Sequence, residues 1–388
     1  MNGNTLPFYD VIIIGAGSVG VPTALCFAQA GMRTLVLDEC ASVGQGSNKT
    51  AIGGIRATHS DPAKIYLCQR SLAIFSTWKQ VYGDDIEWYQ GGYCFVAYGE
   101  QEMNMIKEVV SRQQTFGLNI DWHNREALLN MIPDLNSAGL LGGSFSPEDG
   151  SASPLLAIHA FYRQACRLGA KFHFQERVQQ ILSRGGRVSG VRTNWGTYAT
   201  DVVINAAGAR AHHISLMVGV DAPVRPDSHE AAVTEAVAHF FDPMIVDIRS
   251  MPGSANFYFY QHVTGQIFFC ITPNPPIWGY DCRETSSFLP LAARRMIDVM
   301  PRLKNIRVRR TWRGLYPMTP DGFPIVGWGN TVTGFLNAVG MCGQGFMLGP
   351  GLAELLMRMV LRQTTPQDEG ILPYLSPERT FGRQELLK

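Results

Sequence analysis

YDVIIIGAGSVG, residues 9–20, decides how the rest of the chain is to be understood. Residues 10–14 form a mostly apolar, β-branched run, which predicts a buried parallel strand. Gly15, Gly17 and Gly20 complete G-x-G-x-x-G around Ser18 and Val19, and residues 21–30 continue as an apolar helix. The three glycines have separate mechanical tasks: a tight turn out of the strand, close approach of the backbone to a pyrophosphate, and close packing of helix on sheet. The phosphates would then lie at the helix N-terminus, where free N–H groups and the positive dipole end favour an anion. A second strand, residues 34–37, ends in Asp38-Glu39, at the spacing expected for an acid that binds a ribose hydroxyl. The stretch therefore predicts a βαβ dinucleotide site; the alternative is a glycine-rich turn in an α/β protein that holds no nucleotide.

The 388 residues suffice for two packed lobes, and 46% hydrophobic content allows a sizeable core. A formal charge of +1 and the lack of a basic run argue against nucleic acid and against an electrostatic membrane anchor. No apolar run is long enough to span a bilayer. The chain enters the nucleotide strand almost at once, without a charged-then-apolar leader, so a cytoplasmic location is expected. Its eight cysteines form no C-x-x-C and lie at no metal-ligand spacing from histidine, so no metal site is expected and buried thiols are.

Residues 41–61, rich in Gly, Ser, Thr and Asn, read as a loop suited to close passage along a cofactor. Arg56 is the only guanidinium there. It can clamp a substrate carboxylate, or pair with a cofactor phosphate or a nearby acid. Helices are predicted over 61–82, 102–116, 125–132, 155–168 and 289–300; strand, turn and strand over 88–99; and a lobe boundary in the turn-rich residues 146–154. Residues 201–209, DVVINAAGA, are a second buried strand running into small residues. Strand-like runs over 215–310 predict an antiparallel sheet in which period two sends Tyr258 and Tyr260 to one face and Phe257 and Phe259 to the other. Residues 341–351 read as a glycine-rich turn before an apolar helix over 352–361, whose N-terminus would stabilise negative charge on a ring edge.

GAGSVG with Asp38, GSNKTAIGGIR, VVINAAGA, and the pair TWRGLYPMTPDGFPIVG and VGMCGQGFMLGPG together resemble the FAD-dependent oxidoreductases of the D-amino-acid oxidase, glycine oxidase and sarcosine oxidase type. The likeness covers essentially the whole chain. It looks closest to the β subunits of heteromeric dye-linked L-proline dehydrogenase and sarcosine oxidase. The resemblance implies an α/β fold: a Rossmann-like FAD-binding domain with a central parallel sheet (residues 1–85, 151–214 and 311–388), plus an α+β substrate or partner domain on a mixed or antiparallel sheet (86–150 and 215–310). It implies one FAD, its pyrophosphate on Gly15, Gly17, Ser18, Val19 and Gly20, and its ribose on Asp38 with Glu39 beside it. Ser47, Asn48, Gly53 and Gly54 would follow the cofactor inward, Val178 would meet the adenine, and Ala206, Ala207 and Gly208 would flank the phosphates. Gly314, Gly343, Gln344, Gly345, Phe346 and Met347 would lie by the isoalloxazine.

The implied activity is oxidation of an amine or amino acid to the imine by hydride transfer to flavin N5. A secondary amine such as proline, sarcosine or an opine is the expected substrate, and other subunits the expected electron acceptors. Where oxidases of the family often carry a lysine above the flavin, this chain has Ile267, which favours a dehydrogenase. Gly314 and Leu315 stand where a cysteine attaches FAD in monomeric sarcosine oxidases, so the FAD should be non-covalent. Met347 replaces a carboxylate-binding lysine of some members and leaves Arg56 for that task. A second flavin, FMN, at a subunit interface is admitted by analogy with heteromeric relatives; Pro154 stands for its tethering histidine, so no covalent link is expected. His59, His262, Tyr258, Tyr260 and Tyr316 are candidates to line the pocket, each against a plain structural role, and His212 and His213 are read as structural. The open alternatives are a self-sufficient, peroxide-forming oxidase and a flavin-holding electron-transfer or scaffold subunit.

Overall fold

The computed structural model describes residues 6–387. Its contacts gather into two units. One comprises the described residues up to Ala51 with Pro154–Pro226 and Tyr316–Gln384; the other comprises Ile52–Ser153, Asp227–Leu315 and the described residues from Glu385.

The first unit is built on a six-stranded sheet in the order Ile325–Trp328, Phe335–Val339, Val203–Asn205, Val11–Ile14, Thr34–Leu37, Lys171–His173. All neighbours are parallel except the edge strand Ile325–Trp328. Val11–Ile14 is buried on both faces, as its unbroken β-branched run requires. Its neighbours, Thr34–Leu37 and Val203–Asn205, lie on opposite sides, so the chain order reverses there. A crevice at the carboxyl ends of the strands is where open α/β sheets bind ligands. Helix Gly20–Gln29 follows the first strand.

The second unit holds an eight-stranded sheet in the order Val308–Met318, Arg225–Ala236, Gln266–Asn274, Gly253–Gln261, Met244–Asp247, Tyr93–Ala97, Gly142–Ser146, Asp121–Asn124. It is mixed: Met244–Asp247 runs parallel to Tyr93–Ala97, and the pairs flanking these two are antiparallel. Period two sorts its aromatics as expected. Phe257, Phe259, Ile267 and Phe269 share one core with Phe288, Ala292 and Met296 of helix Phe288–Val299. Tyr258, Tyr260, Phe268 and Cys270 lie in the other, with Tyr93, Phe95 and Ile106.

The elements depart from expectation in three places. Residues 88–99 hold one strand, Tyr93–Ala97, rather than two, because Gly92 has φ +83° and Tyr89 makes only an isolated bridge to Ser151. The last long helix is Gly345–Leu361, so residues 345–351 are helix and not turn. Its glycines serve close packing: a Cβ on Gly349 would meet the Ser18 carbonyl oxygen at 1.9 Å. Residues 52–85, placed with the nucleotide unit from sequence, gather with the second unit, since helix Pro62–Tyr82 buries Lys64 against Glu385 there.

Candidate functional site

In the first unit the glycines divide their tasks as the motif requires. Gly15 has φ +109°, and a Cβ on it would strike the Ala206 carbonyl oxygen at 2.4 Å. Two strand ends therefore close together at that point. A Cβ on Gly20 would lie 1.9 Å from the Gly15 carbonyl oxygen, whereas Gly17 has nothing within 4 Å. Of the three, Gly17 is the one that leaves the backbone open to a ligand. The Asp38 carboxylate accepts from Ala16 N–H at 2.6 Å and Cys40 N–H at 2.8 Å, which leaves lone pairs for hydroxyls. Glu39 turns away to pair with Arg210 at 2.5 Å. Ser18 Oγ donates to Asn48 Oδ1 at 2.8 Å, and Asn48 Nδ2 donates to Pro154 O at 3.0 Å, so the turn that follows Ser47 is tied to the glycine turn.

Asn205, fully buried at the end of the second strand, organises the next three residues. It accepts from Ala207 N–H at 3.2 Å while its amide donates to Ala211 O and Asn337 Oδ1, which fixes the Ala206-Ala207-Gly208 turn. Val178 begins strand Val178–Arg184 and packs with Ile12, Ile14 and Leu37. Gly343, with φ +83°, lies across the ring of Tyr316; a Cβ there would meet that ring at 2.1 Å. Gln344 is the N-cap of helix Gly345–Leu361 without a side-chain capping bond, and its Oε1 is buried with no partner. Phe346 and Met347 are buried in the first turn. The first turns of this helix pack on Ser18, so the N-termini of two helices converge on the glycine turn. Converging N–H groups and positive dipole ends suit an anionic, polyfunctional ligand.

In the second unit Arg56 follows the short strand Gly54–Ile55 and is 5% exposed. Its guanidinium lies 5.3 Å from the centre of the Phe95 ring and donates to Thr58 O and Leu387 O. Asp149 holds the loop from behind, accepting from Ala57 N–H at 2.8 Å and Thr58 Oγ at 3.0 Å. Burial pushes its carboxyl up to about 6 despite those bonds. Gly53 O accepts from Ala152 N–H at 3.0 Å, and Gly54 faces the Tyr93 hydroxyl rather than open space.

The other candidates separate. His59 is fully buried instead of lining a pocket. Its Nε2 is 3.4 Å from Cys68 Sγ, and burial, with Arg56 adding, holds the ring well below the usual histidine range and hence neutral. Tyr260 is 3% exposed, and its hydroxyl is committed to Ile52 O, so it is a wall rather than a hydrogen-bonding partner. His262 follows strand Gly253–Gln261 and lies beside Glu87, with Nε2 3.3 Å from Oε2; burial lowers its pKa and Glu87 opposes that. Tyr258 is half-buried, on the aromatic face with Phe268 and Trp312. Ile267 does not share that face: it sits fully buried in the opposite core, so its lack of charge reflects packing. Strand Gln266–Asn274 carries no lysine on either face.

Sequence reasoning missed Lys64, Asp149 and Glu385. Lys64 does carry a signal. It heads the stripe Lys64, Cys68, Ser71, Phe75, Trp78, spaced by fours and threes and buried throughout. Among the described residues no group of His, Cys, Asp and Glu could hold a metal ion, and no helix is long and apolar enough to cross a membrane.

A family model described as FAD dependent oxidoreductase (DAO) matches residues 10–359. The chain belongs to that family. It is 26% identical over 410 residues to hydrogen cyanide synthase subunit HcnC of Pseudomonas aeruginosa, covering 95% of each chain. It is 24% identical over 360 residues to glycine oxidase of Bacillus licheniformis, covering 91% of this chain and 93% of that one. Among solved structures, L-proline dehydrogenase from P. horikoshii matches with a TM-score of 0.89 and 28% identity, over 96% of this chain and 98% of that one. The first unit fits FAD. An open backbone at Gly17, spare acceptor capacity on Asp38 and an orphaned amide oxygen on Gln344 are features a bound dinucleotide uses. FAD, when bound, supplies the two-electron acceptor.

Proposed function

We propose that this protein oxidises an amine or amino acid to the imine, with a secondary amine that carries a carboxylate, such as proline, sarcosine or an opine, as the preferred substrate. The observation that carries this reading is Arg56: a buried guanidinium seated on Phe95, on the aromatic face that also holds Tyr258, Phe268 and Trp312. Arg56 binds the carboxylate as a charge-assisted pair. The aromatic wall lowers the local dielectric, which disfavours an ammonium and keeps the reacting nitrogen neutral. No strong base is needed for hydride loss from a neutral amine, and His59, whose basicity burial lowers, is not one. Gly15, Gly17, Gly20 and Asp38 hold the cofactor, and the N-terminus of helix Gly345–Leu361 stabilises negative charge.

The same reading makes the chain a dehydrogenase subunit that passes electrons to another protein or to a quinone. The likeness to a protein named a subunit and to a proline dehydrogenase supports it, as does the absence of lysine from strand Gln266–Asn274. FMN at a subunit interface belongs to this proposal. A self-sufficient oxidase is the second reading, favoured by the likeness to glycine oxidase. The test is a panel of secondary amines and amino acids of both hands, assayed by anaerobic dye reduction and by peroxide formation, with the purified chain and with the products of neighbouring genes. Dye reduction that outpaces peroxide formation supports the dehydrogenase. Peroxide at turnover rate selects the oxidase, and no reduction by any amine overturns the amine reading.

A further inference from the structure

The second unit contains a stretch of its own chain where an acidic ligand would be expected. Glu385 is 4% exposed; its carboxylate accepts from the fully buried Lys64 ammonium at 3.1 Å, and from Ser60 N–H at 3.1 Å and Ser60 Oγ at 2.5 Å. Leu386 points outward, half exposed. Leu387 turns back in: its carbonyl accepts from Arg56, and its buried side chain joins the cluster of Phe95 and Tyr260 against which Tyr258, Phe268 and Trp312 pack. The segment thus brings a carboxylate, an acceptor for a guanidinium and a branched apolar group to one wall. It forms neither helix nor strand, so side chains and a few hydrogen bonds hold it there.

We propose that residues 385–387 occupy in cis the subsite for a carboxylate-bearing ligand, and that Lys64 and Ser60 complete this subsite beside Arg56. The inference rests on the amine reading above. Charge supports it. Buried Arg56 and Lys64 face two carboxylates, Glu385 and Asp149; withdrawing Glu385 leaves a buried cation unmatched, at a cost that a ligand carboxylate would remove. Although burial raises the Glu385 carboxyl, Lys64, with Ser60 and Arg56 adding, outweighs it and keeps it ionised well below the usual range. His59 adds an independent sign. Its Nδ1 is fully buried without a hydrogen-bond partner and stands 4.0 Å from Glu385 Oε2, too far to be satisfied by it. The segment thus brings a buried charge in at its first residue and still leaves a neighbouring imidazole nitrogen unsatisfied.

The competition is testable with pyrrole-2-carboxylate, a planar secondary-amine acid with no hydrogen on a tetrahedral Cα to lose, and with pyrrole as the control lacking a carboxylate. Binding to FAD-loaded protein is followed by flavin absorbance in the full chain, in a deletion of residues 385–388 and in Glu385→Gln. Hydrogen exchange of residues 376–387 is followed in the full chain with and without ligand. An occupant that leaves the subsite open a tenth of the time weakens apparent affinity about tenfold. The deletion should therefore tighten pyrrole-2-carboxylate by about tenfold and leave pyrrole unchanged, Glu385→Gln should move the same way by less, and the ligand should speed exchange of the segment. If the deletion does not fold, Glu385→Gln and the exchange measurement decide alone. Unchanged affinity with unchanged exchange overturns the proposal. So does the absence of carboxylate binding in every variant; in that case dye reduction by an amine without a carboxylate would leave the enzymatic reading standing.

Discussion

Gly349→Ala tests the packing that brings two helix N-termini together. In an exposed helix interior, replacing glycine by alanine stabilises by about 1 kcal/mol, because alanine gives up less backbone freedom. Gly349 is helical, but its Cβ would stand 1.9 Å from the Ser18 carbonyl oxygen and 2.8 Å from its carbon. Comfortable separation is about 3.5 Å, so helix Gly345–Leu361 or the glycine turn has to move by roughly 1.5 Å. Overpacking of this kind costs about 1–3 kcal/mol, occasionally more. Set against the propensity gain, the net expectation is a loss of up to about 2 kcal/mol. With the pyrophosphate placed as proposed, against the turn that holds Ser18, FAD affinity should fall as well. Gly370→Ala is the matched control: it lies in helix Pro366–Leu375 with nothing within 4 Å, and should stabilise by up to about 1 kcal/mol. Urea midpoints of both variants and FAD titrations of the apoproteins give the answer. A Gly349→Ala protein as stable as the wild type, with unaltered FAD affinity, would refute the packing argument.

Four further outcomes are expected. Gly17→Ala, where the added methyl meets only open space, should leave the apoprotein's urea midpoint within about 0.5 kcal/mol of wild type while weakening FAD at least about tenfold; a normal FAD titration would exclude Gly17 as the phosphate approach. The Asp149 carboxyl is raised from 3.8 to about 6, so its contribution to stability is full below 3.8 and is lost as pH rises through about 6. That amounts to about 3 kcal/mol, and Asp149→Asn should remove this slope from urea midpoints taken between pH 4 and 7. Ile267→Lys should destabilise by several kcal/mol, through a charge in a sealed core, with no gain in peroxide formation; a stable variant with faster reoxidation would put residue 267 beside the flavin after all. Acid precipitation should leave all of the flavin in the supernatant, since Gly314 and Leu315 offer no thiol, and yellow pellets would contradict that.

The sequence made legible what depends on neighbours in the chain. The three glycines, the acid closing the second strand and the alternation of Tyr258 and Tyr260 with Phe257 and Phe259 follow from local stereochemistry, and each recurs in the structure. Helix propensity misled at residues 345–351, because glycine there answers to Ser18, far off in sequence, and not to its own turn. Burial hid the roles of His59 and Tyr260, whose exposure no period reports. The pairing of Lys64 with Glu385 joins positions 321 apart, and the grip of Asp149 on residues 57 and 58 spans nearly a hundred. Neither has a spacing that a motif could encode. The odd lysine at the head of an apolar stripe was the one visible trace.

Strand Val11–Ile14 carries a consequence for how cells make this protein. It can pair with Thr34–Leu37 soon after leaving the ribosome, but its other neighbour, Val203–Asn205, comes about 190 residues later, and Phe335–Val339 later still. At about 5–20 residues per second, the first strand waits roughly 10–40 s for Val203–Asn205 to be synthesised. Through that interval it presents an apolar ribbon with one unpaired edge, the kind of surface that draws nascent chains into aggregates. Slower growth at low temperature or extra chaperone should therefore raise soluble yield.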